Sequence, residues 1–289
     1  VSNPVFENSP YFGERRGTTP SGYPTHPGYA PSAGTTYPPA ADPQQVQNLE
    51  YAYQQPAAGP AQTGRLTYDD VIVKTGGLLA LVVAMGALNW FVLGGNMIAT
   101  FGGLAVGLVL GLVNAFKREP SPALIAVYAA AEGLFLGGIS MVFESIYPGI
   151  VLQAVLATGA TFVATLALYS SGKIRVTPKM TRFVLIALVG YALFSLVNLG
   201  IMLLGSGDSA FGLRSSVEIM GIPLGVIIGV FAVGLAAFCL ILDFDAIKRG
   251  VQAGIPSRYA WSAAFGLLVT LVWLYLEFLR LLAILRGGD

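Results

Sequence analysis

The chain has 289 residues, of which 55% are hydrophobic and only 11% charged, where a water-soluble domain usually carries about 25% charge. Nearly everything after Lys74 is apolar, and the charges sit in short clusters between long neutral stretches, the pattern of a chain surrounded mostly by lipid. A net charge of +1 offers nucleic acid no electrostatic footprint, and a single cysteine, Cys239, excludes an internal disulfide and is expected to be a packed core residue.

Residues 1–65 hold most of the prolines, in runs such as Pro20-Ser-Gly-Tyr-Pro24 and Tyr37-Pro-Pro-Ala40, with Gly, Ser, Thr, Gln and Tyr between them. Too few aliphatic side chains are present to offset the entropy of ordering, so residues 1–68 are expected to be a disordered tail with local polyproline character. Its tyrosines could serve docking. The tail has no apolar signal-peptide core, so the first helix is expected to act as its own insertion signal. Val1 is compatible with an alternative start codon, which suits a bacterial inner-membrane protein.

Residues 69–289 read as a seven-helix transmembrane domain. From Thr75 to Phe116 there are 42 consecutive residues without a charge, about 63 Å of helix and twice the hydrocarbon thickness of roughly 30 Å. The stretch must turn once, at Gly94-Gly95-Asn96, which gives helix one at 71–93 and helix two at 97–116. Helix three is expected over 122–143, interrupted by Glu132, and helix four over 149–170 after Tyr147-Pro148-Gly149. Helices five, six and seven are expected over 183–204, 220–248 and 261–285.

Seven spans put the tail and loops two, four and six on one side. That side carries thirteen Lys and Arg residues, among them Lys117, Arg118, Lys173, Arg175, Lys179, Arg182, Lys248, Arg249 and Arg258; the opposite side carries Arg214 and Arg286. The positive-inside rule therefore predicts a cytoplasmic N-terminus and an outside C-terminus in a multi-pass cell-membrane protein. Two glycine ladders, Gly103-Gly107-Gly111 on helix two and Gly221-Gly225-Gly229 on helix six, predict close backbone approach between helices.

Four acids, Glu132, Asp243, Asp245 and Glu277, and one base, Arg280, fall within or at the edge of the spans. A charge at the bilayer centre costs at least ~2.5 kcal/mol, so each requires a partner or a purpose. Asp243 and Asp245 point about 200° apart around a helix, so one is expected to face inward and the other to reach towards Lys248-Arg249. Glu277 and Arg280, three residues apart, share a helix face and can form an ion pair.

The helix-six end Ile241-Leu-Asp-Phe-Asp-Ala-Ile-Lys248, the helix-seven stretch Leu274-Tyr-Leu-Glu-Phe-Leu279 and, more weakly, Glu132-Gly-Leu-Phe-Leu-Gly-Gly138 resemble the transmembrane Bax inhibitor motif family, in its bacterial branch, over residues 70–285. The resemblance implies an all-α fold of seven helices with the last one central, and an acid from each of helices six and seven that together sense pH and gate a calcium leak. Those acids fall on Asp243 and Glu277. Asp245 stands where the family is more often neutral, Glu277 where Asp is commoner, and Arg280 where Asn is expected. Asp245, Arg280 and Glu132 are therefore tuning candidates.

Two carboxylates in a water-poor interior cannot both ionise cheaply and would share a proton, and once freed they are hard oxygen ligands suited to Ca²⁺. Ca²⁺ takes six to eight oxygens, so Asp243 and Glu277 suit a transient permeation site and no resident cofactor is expected. Helical rise places Asp243 near the inner end of helix six and Glu277 about 13 Å below the outer surface. For the two to meet, helix seven must begin outside the bilayer or helix six must sit deeper. The one histidine, His26, lies in the tail, so neither a Ser-His pair nor a His metal site can form in the membrane, and an enzyme is not expected. The leading expectation is a pH-sensitive Ca²⁺ leak channel or transporter whose partners are the lipid bilayer and calcium ions. The alternatives are a non-transporting modulator of a membrane protease or other membrane partner, and a proton-coupled exchanger.

Overall fold

A computed structural model of the chain describes residues 63–203 and 221–287, together with Gly59, Leu213, Glu218 and Ile219. All the described residues belong to the unit spanning Ala57–Asp289. The expected disordered tail falls on residues 1–68, nearly all of it outside the described residues.

Among the described residues seven helices are long and apolar enough to cross a membrane, and the protein is a multi-pass membrane protein. Helix α1 covers Tyr68–Ala87 and continues through a π-helical turn, Leu88–Val92. It begins three residues ahead of the expected start because Thr67 and Asp70 form a capping box: Asp70 N donates to Thr67 Oγ1 (3.1 Å) and Thr67 N to Asp70 Oδ2 (3.2 Å). Gly94 and Gly95 then turn the chain with φ of 62° and 69°. Asn96 caps helix α2 (Met97–Phe116), accepting from Ile98 N and Ala99 N.

Helix α3 runs Pro122–Ile146 and helix α4 Ile150–Ser170. Between them, the Glu144 carboxylate reaches forward to accept from Gly149 N (2.6 Å) and Val151 N (3.1 Å), meeting donors that the start of α4 leaves open.

Helix α5 is Pro178–Leu203. It starts five residues earlier than the expected 183, because Pro178 is preset for a first turn and the Thr177 hydroxyl accepts from Met180 N (3.2 Å). Lys179 and Arg182 are consequently helical rather than loop residues.

Helix α6, Leu224–Ala253, is displaced from the expected 220–248 at both ends. Ahead of it a two-residue hairpin pairs β1 (Glu218–Ile219) with β2 (Ile222–Pro223), and Gly221 sits in its turn at φ 80°. Gly221 is therefore not a rung of the expected ladder. At the far end Gly254, at φ 64°, terminates the helix one turn beyond Lys248 and Arg249. A 3₁₀ turn, Ser257–Tyr259, leads into helix α7, Ala260–Arg286.

Helix α7 is the central element, packed against α1, α3, α4 and α6. Leu267, Leu271 and Leu274 join one apolar cluster with Leu240 and Phe244 of α6, while Ala264, Leu268 and Val272 join a second with α1 and α3. Leu279 and Ala283 meet Ile150 and Ala154 of α4 in a third. Lipid tails are as apolar as these side chains, so close packing rather than water exclusion must hold the helices together. The α2 ladder shows how: a Cβ on Gly103 would stand 2.6 Å from the Ala131 carbonyl oxygen of α3, and Gly111 lies against the Tyr128 ring. At the α1–α3 crossing, Gly86 and Gly137 bring the two backbones into direct contact.

On the face that carries the α6–α7 turn, the residues before α1 form a short strap. Leu66 N donates to Ile255 O (2.7 Å), and Ser257 N donates to Gly64 O (2.9 Å). The Leu66 side chain is buried against Gly250 and Ile255.

Candidate functional site

The interior acids lie at three places in the helix bundle. Asp243 projects from α6 towards α7, where Oδ2 accepts a hydrogen bond from the Thr270 hydroxyl (2.8 Å). Thr270 is itself buried, and its single hydroxyl proton is shared between Asp243 Oδ2 and Gly266 O of its own helix (3.1 Å). Gly266 lies beside the carboxylate, where a Cβ would stand 3.8 Å from Asp243 Oδ1, in ordinary contact. Among the described residues no Lys or Arg comes within ion-pair distance of Asp243. Among those residues its charge, when present, is balanced by dipoles.

Glu277 lies farther along α7 and is only 2% exposed. Oε1 accepts from the Tyr191 hydroxyl of α5 and from the Trp273 indole Nε1 one turn back (3.0 Å), while Oε2 pairs with Arg280 Nη2. Arg280 Nη2 also donates to Tyr191 Oη (2.7 Å), and the Tyr191 and Trp273 rings lie 5.5 Å apart. A buried carboxylate with a cation and two further donors has the satisfied surroundings that make such a charge tolerable in a low-dielectric interior. The ion pair expected from the i, i+3 spacing is present, and it is reinforced from another helix.

Asp243 and Glu277 thus sit in separate hydrogen-bond sets. Thr270, which anchors Asp243, precedes Glu277 by seven residues, about 10 Å along α7. The longer α6 carries Asp243 deeper than the expected helix end, yet the two acids remain about two turns apart on the central helix.

Asp245 turns the other way. It pairs with Arg249 (2.9 Å) and accepts from the Tyr169 hydroxyl of α4 (3.2 Å), while Lys248 stands over the same tyrosine ring. The expected split between the two α6 acids, one inward and one towards the basic cluster, is what the helix geometry produces. Glu132 faces α2: a Cβ on Gly107 would lie 3.0 Å from its Oε1, so glycine at that rung makes the room the carboxylate occupies.

Three partners were not legible as site residues. Trp273 is one turn from Glu277, so the spacing carried a signal for it. Thr270 and Tyr191 come from sequence positions with no such relation to the acids they serve; only helix packing selects them. A further buried polar set links the first three helices, with Asn89 Nδ2 donating to Thr100 Oγ1 (3.0 Å) and Leu134 O (2.6 Å). Among the described residues no three His, Cys, Asp or Glu side chains cluster as a metal site.

In comparison with known proteins, the family model described as Bax inhibitor 1 like matches residues 3–287. The match takes in the N-terminal segment as well as the helices, and so extends beyond the 70–285 over which the motifs carry the resemblance. No curated protein matches the chain.

Proposed function

The chain belongs to the Bax inhibitor 1 like family, and on that premise we propose that it is a pH-responsive cation leak pathway for Ca²⁺, with Asp243 and Glu277 as its working acids. The observation that carries this reading is the asymmetry between them. Glu277 has a guanidinium of its own, whereas Asp243 lies between α6 and α7 with a hydroxyl partner and no cation among the described residues.

When Asp243 is protonated, the α6–α7 contact is neutral and the Thr270 hydroxyl bridges it. Loss of the proton leaves a charge that costs several kcal/mol in a dry interior unless water or a cation joins it. Ionisation therefore favours parting of α6 from α7 and entry of a cation, and the Asp243 carboxylate with the Thr270 hydroxyl offers the hard oxygens that Ca²⁺ prefers. Two such donors are too few for tight retention, which suits passage. Glu277 and Arg280 act two turns away, where they tie the central helix to α5 through Tyr191. The tail side is the cytoplasmic side in this reading, on the strength of the Lys and Arg bias.

The test is Ca²⁺ flux into liposomes carrying the full chain, between about pH 6 and pH 8. Wild-type flux should rise as pH rises, and Asp243→Asn should be closed and independent of pH. An absence of flux from wild-type vesicles, or an unchanged pH profile in Asp243→Asn, would overturn the proposal.

A further inference from the structure

The cations on the face that carries the α4–α5 and α6–α7 turns are not equivalent. Lys74, Arg249 and Arg258 each have a carboxylate within ion-pair distance, at 3.7, 2.9 and 3.3 Å. Lys173, Arg175, Lys179 and Arg182 are all exposed, and among the described residues none of them has a side-chain hydrogen bond or ion pair. No acid occurs in the chain between Glu144 and Asp208, so neither of their own two helices can neutralise them. A general bias of positive charge towards one side of a membrane explains why cations stand here, and Arg65, Lys117, Arg118 and Lys248 likewise have no carboxylate within ion-pair distance among the described residues, so it is placement that sets these four apart.

In the connection Lys173–Thr177, Ile174 and Val176 are half-buried while Lys173 and Arg175 are exposed, the alternation of an extended segment with its cations turned outward. On α5, Val184, Tyr191 and Asn198 recur every seven residues on the inner side. Lys179 and Arg182 lie on the opposite face, continued by Ile186, Val189 and Leu193, which are 74%, 60% and 59% exposed. From Arg182 to Leu193 the helix rises about 16 Å, close to half of a hydrocarbon core of roughly 30 Å. One helix face thus carries a cationic head followed by an apolar stripe one leaflet long.

We propose that this face holds an acidic phospholipid, its phosphate between Lys173, Arg175, Lys179 and Arg182 and its acyl chains along Ile186, Val189 and Leu193. The continuity of cations with the apolar stripe selects a lipid over a soluble anion, which would leave the stripe unused. The site is independent of the proposed conduction pathway, and its test involves no flux.

The full chain in detergent micelles, where membrane orientation plays no part, is incubated with phosphatidylglycerol and phosphatidylcholine of equal chain length, and bound lipid is counted by native mass spectrometry. Wild type should retain phosphatidylglycerol about tenfold or more over phosphatidylcholine, with the preference shrinking as salt rises. Lys173→Gln/Arg175→Gln, confined to the connection outside the helices, should lose a large part of that preference, and adding Lys179→Gln/Arg182→Gln should remove it. The charge-keeping Lys173→Arg/Arg175→Lys/Lys179→Arg/Arg182→Lys variant should retain it, and Lys117→Gln/Arg118→Gln should leave it intact. Equal retention of the two lipids by wild type, a preference that survives all four glutamines, or displacement of the lipid by glycerol phosphate at equal concentration would each overturn the proposal.

Discussion

Tyr191 of α5 and Arg280 of α7 are joined by a 2.7 Å hydrogen bond across two helices, and both also hold the Glu277 carboxylate. An i, i+3 pair that could have been a local neutralisation within one helix is therefore also a fastener between the central helix and α5.

The buried pair should be far more sensitive to losing one member than both. Glu277→Gln leaves Arg280 without its anion, and Arg280→Gln leaves Glu277 buried without its cation; each single change is expected to cost about 3 kcal/mol. The double variant should be less destabilised than the sum, and denaturant unfolding in detergent measures the cycle. Additive losses would show that the two side chains do not act as a unit.

Tyr191→Phe removes the hydroxyl and keeps the ring beside Trp273. It should cost about 1 kcal/mol and speed amide hydrogen exchange in α5 more than in α3 or α4. Uniform exchange across all helices would mean that Tyr191 does not fasten α5.

Substitutions along the α2 ladder should follow the local clearance. Gly103→Ala places a Cβ 2.6 Å from a backbone carbonyl that cannot swing away, so a loss of about 1–3 kcal/mol is expected. Gly111→Ala meets the Tyr128 ring at 3.4 Å and should be nearly neutral. Thermal unfolding of the two variants side by side reads the difference, and equal shifts would contradict it.

The strap ahead of α1 should matter to the α6–α7 turn. Leu66→Ala empties a nearly fully buried site against Gly250 and Ile255 and is expected to cost about 2–3 kcal/mol. Amides of Leu66 and Ser257 should lose protection in the same variant, because their strap acceptors are Ile255 O and Gly64 O. Retained protection at both would show that the turn holds itself.

Protonation of Asp243 should set the direction of any pH response. With the proton on, the α6–α7 contact is neutral; with it off, a charge that has no counter-ion among the described residues stands between the helices. Thr270→Val removes the hydroxyl that steadies Asp243, so Ca²⁺ flux in that variant should be altered at every pH, while Asp245→Asn should leave the pH profile in place because Asp245 faces α4. A pH profile that follows Asp245 instead would relocate the sensor.

Helix number and packing density were legible because their causes are local in the chain. Charge-free runs of bilayer length, the Gly94-Gly95 turn and the four-residue glycine repeat on α2 each state a constraint that nearby residues satisfy. Helix ends drifted by up to five residues where capping groups decided them: Thr177 and Pro178 drew α5 earlier, and Gly254 rather than Lys248 closed α6. Gly221 looked like a ladder rung by spacing alone, whereas its φ of 80° belongs to a hairpin turn.

For the site, the sequence identified the ionisable residues and their neighbours within one helix: Glu277 with Arg280, and the division of labour between Asp243 and Asp245, follow from 3.6 residues per turn. It had no means of setting the relative depth of α6 and α7, because that depends on where each helix is capped and how its ridges seat on the other. The tertiary structure alone brought Thr270 to Asp243 and Tyr191 to Glu277, and so divided an apparent carboxylate pair into two sites two turns apart. Apolar length and charge are properties of single segments, whereas hydrogen-bond partners more than twenty residues away exist only once the helices have packed.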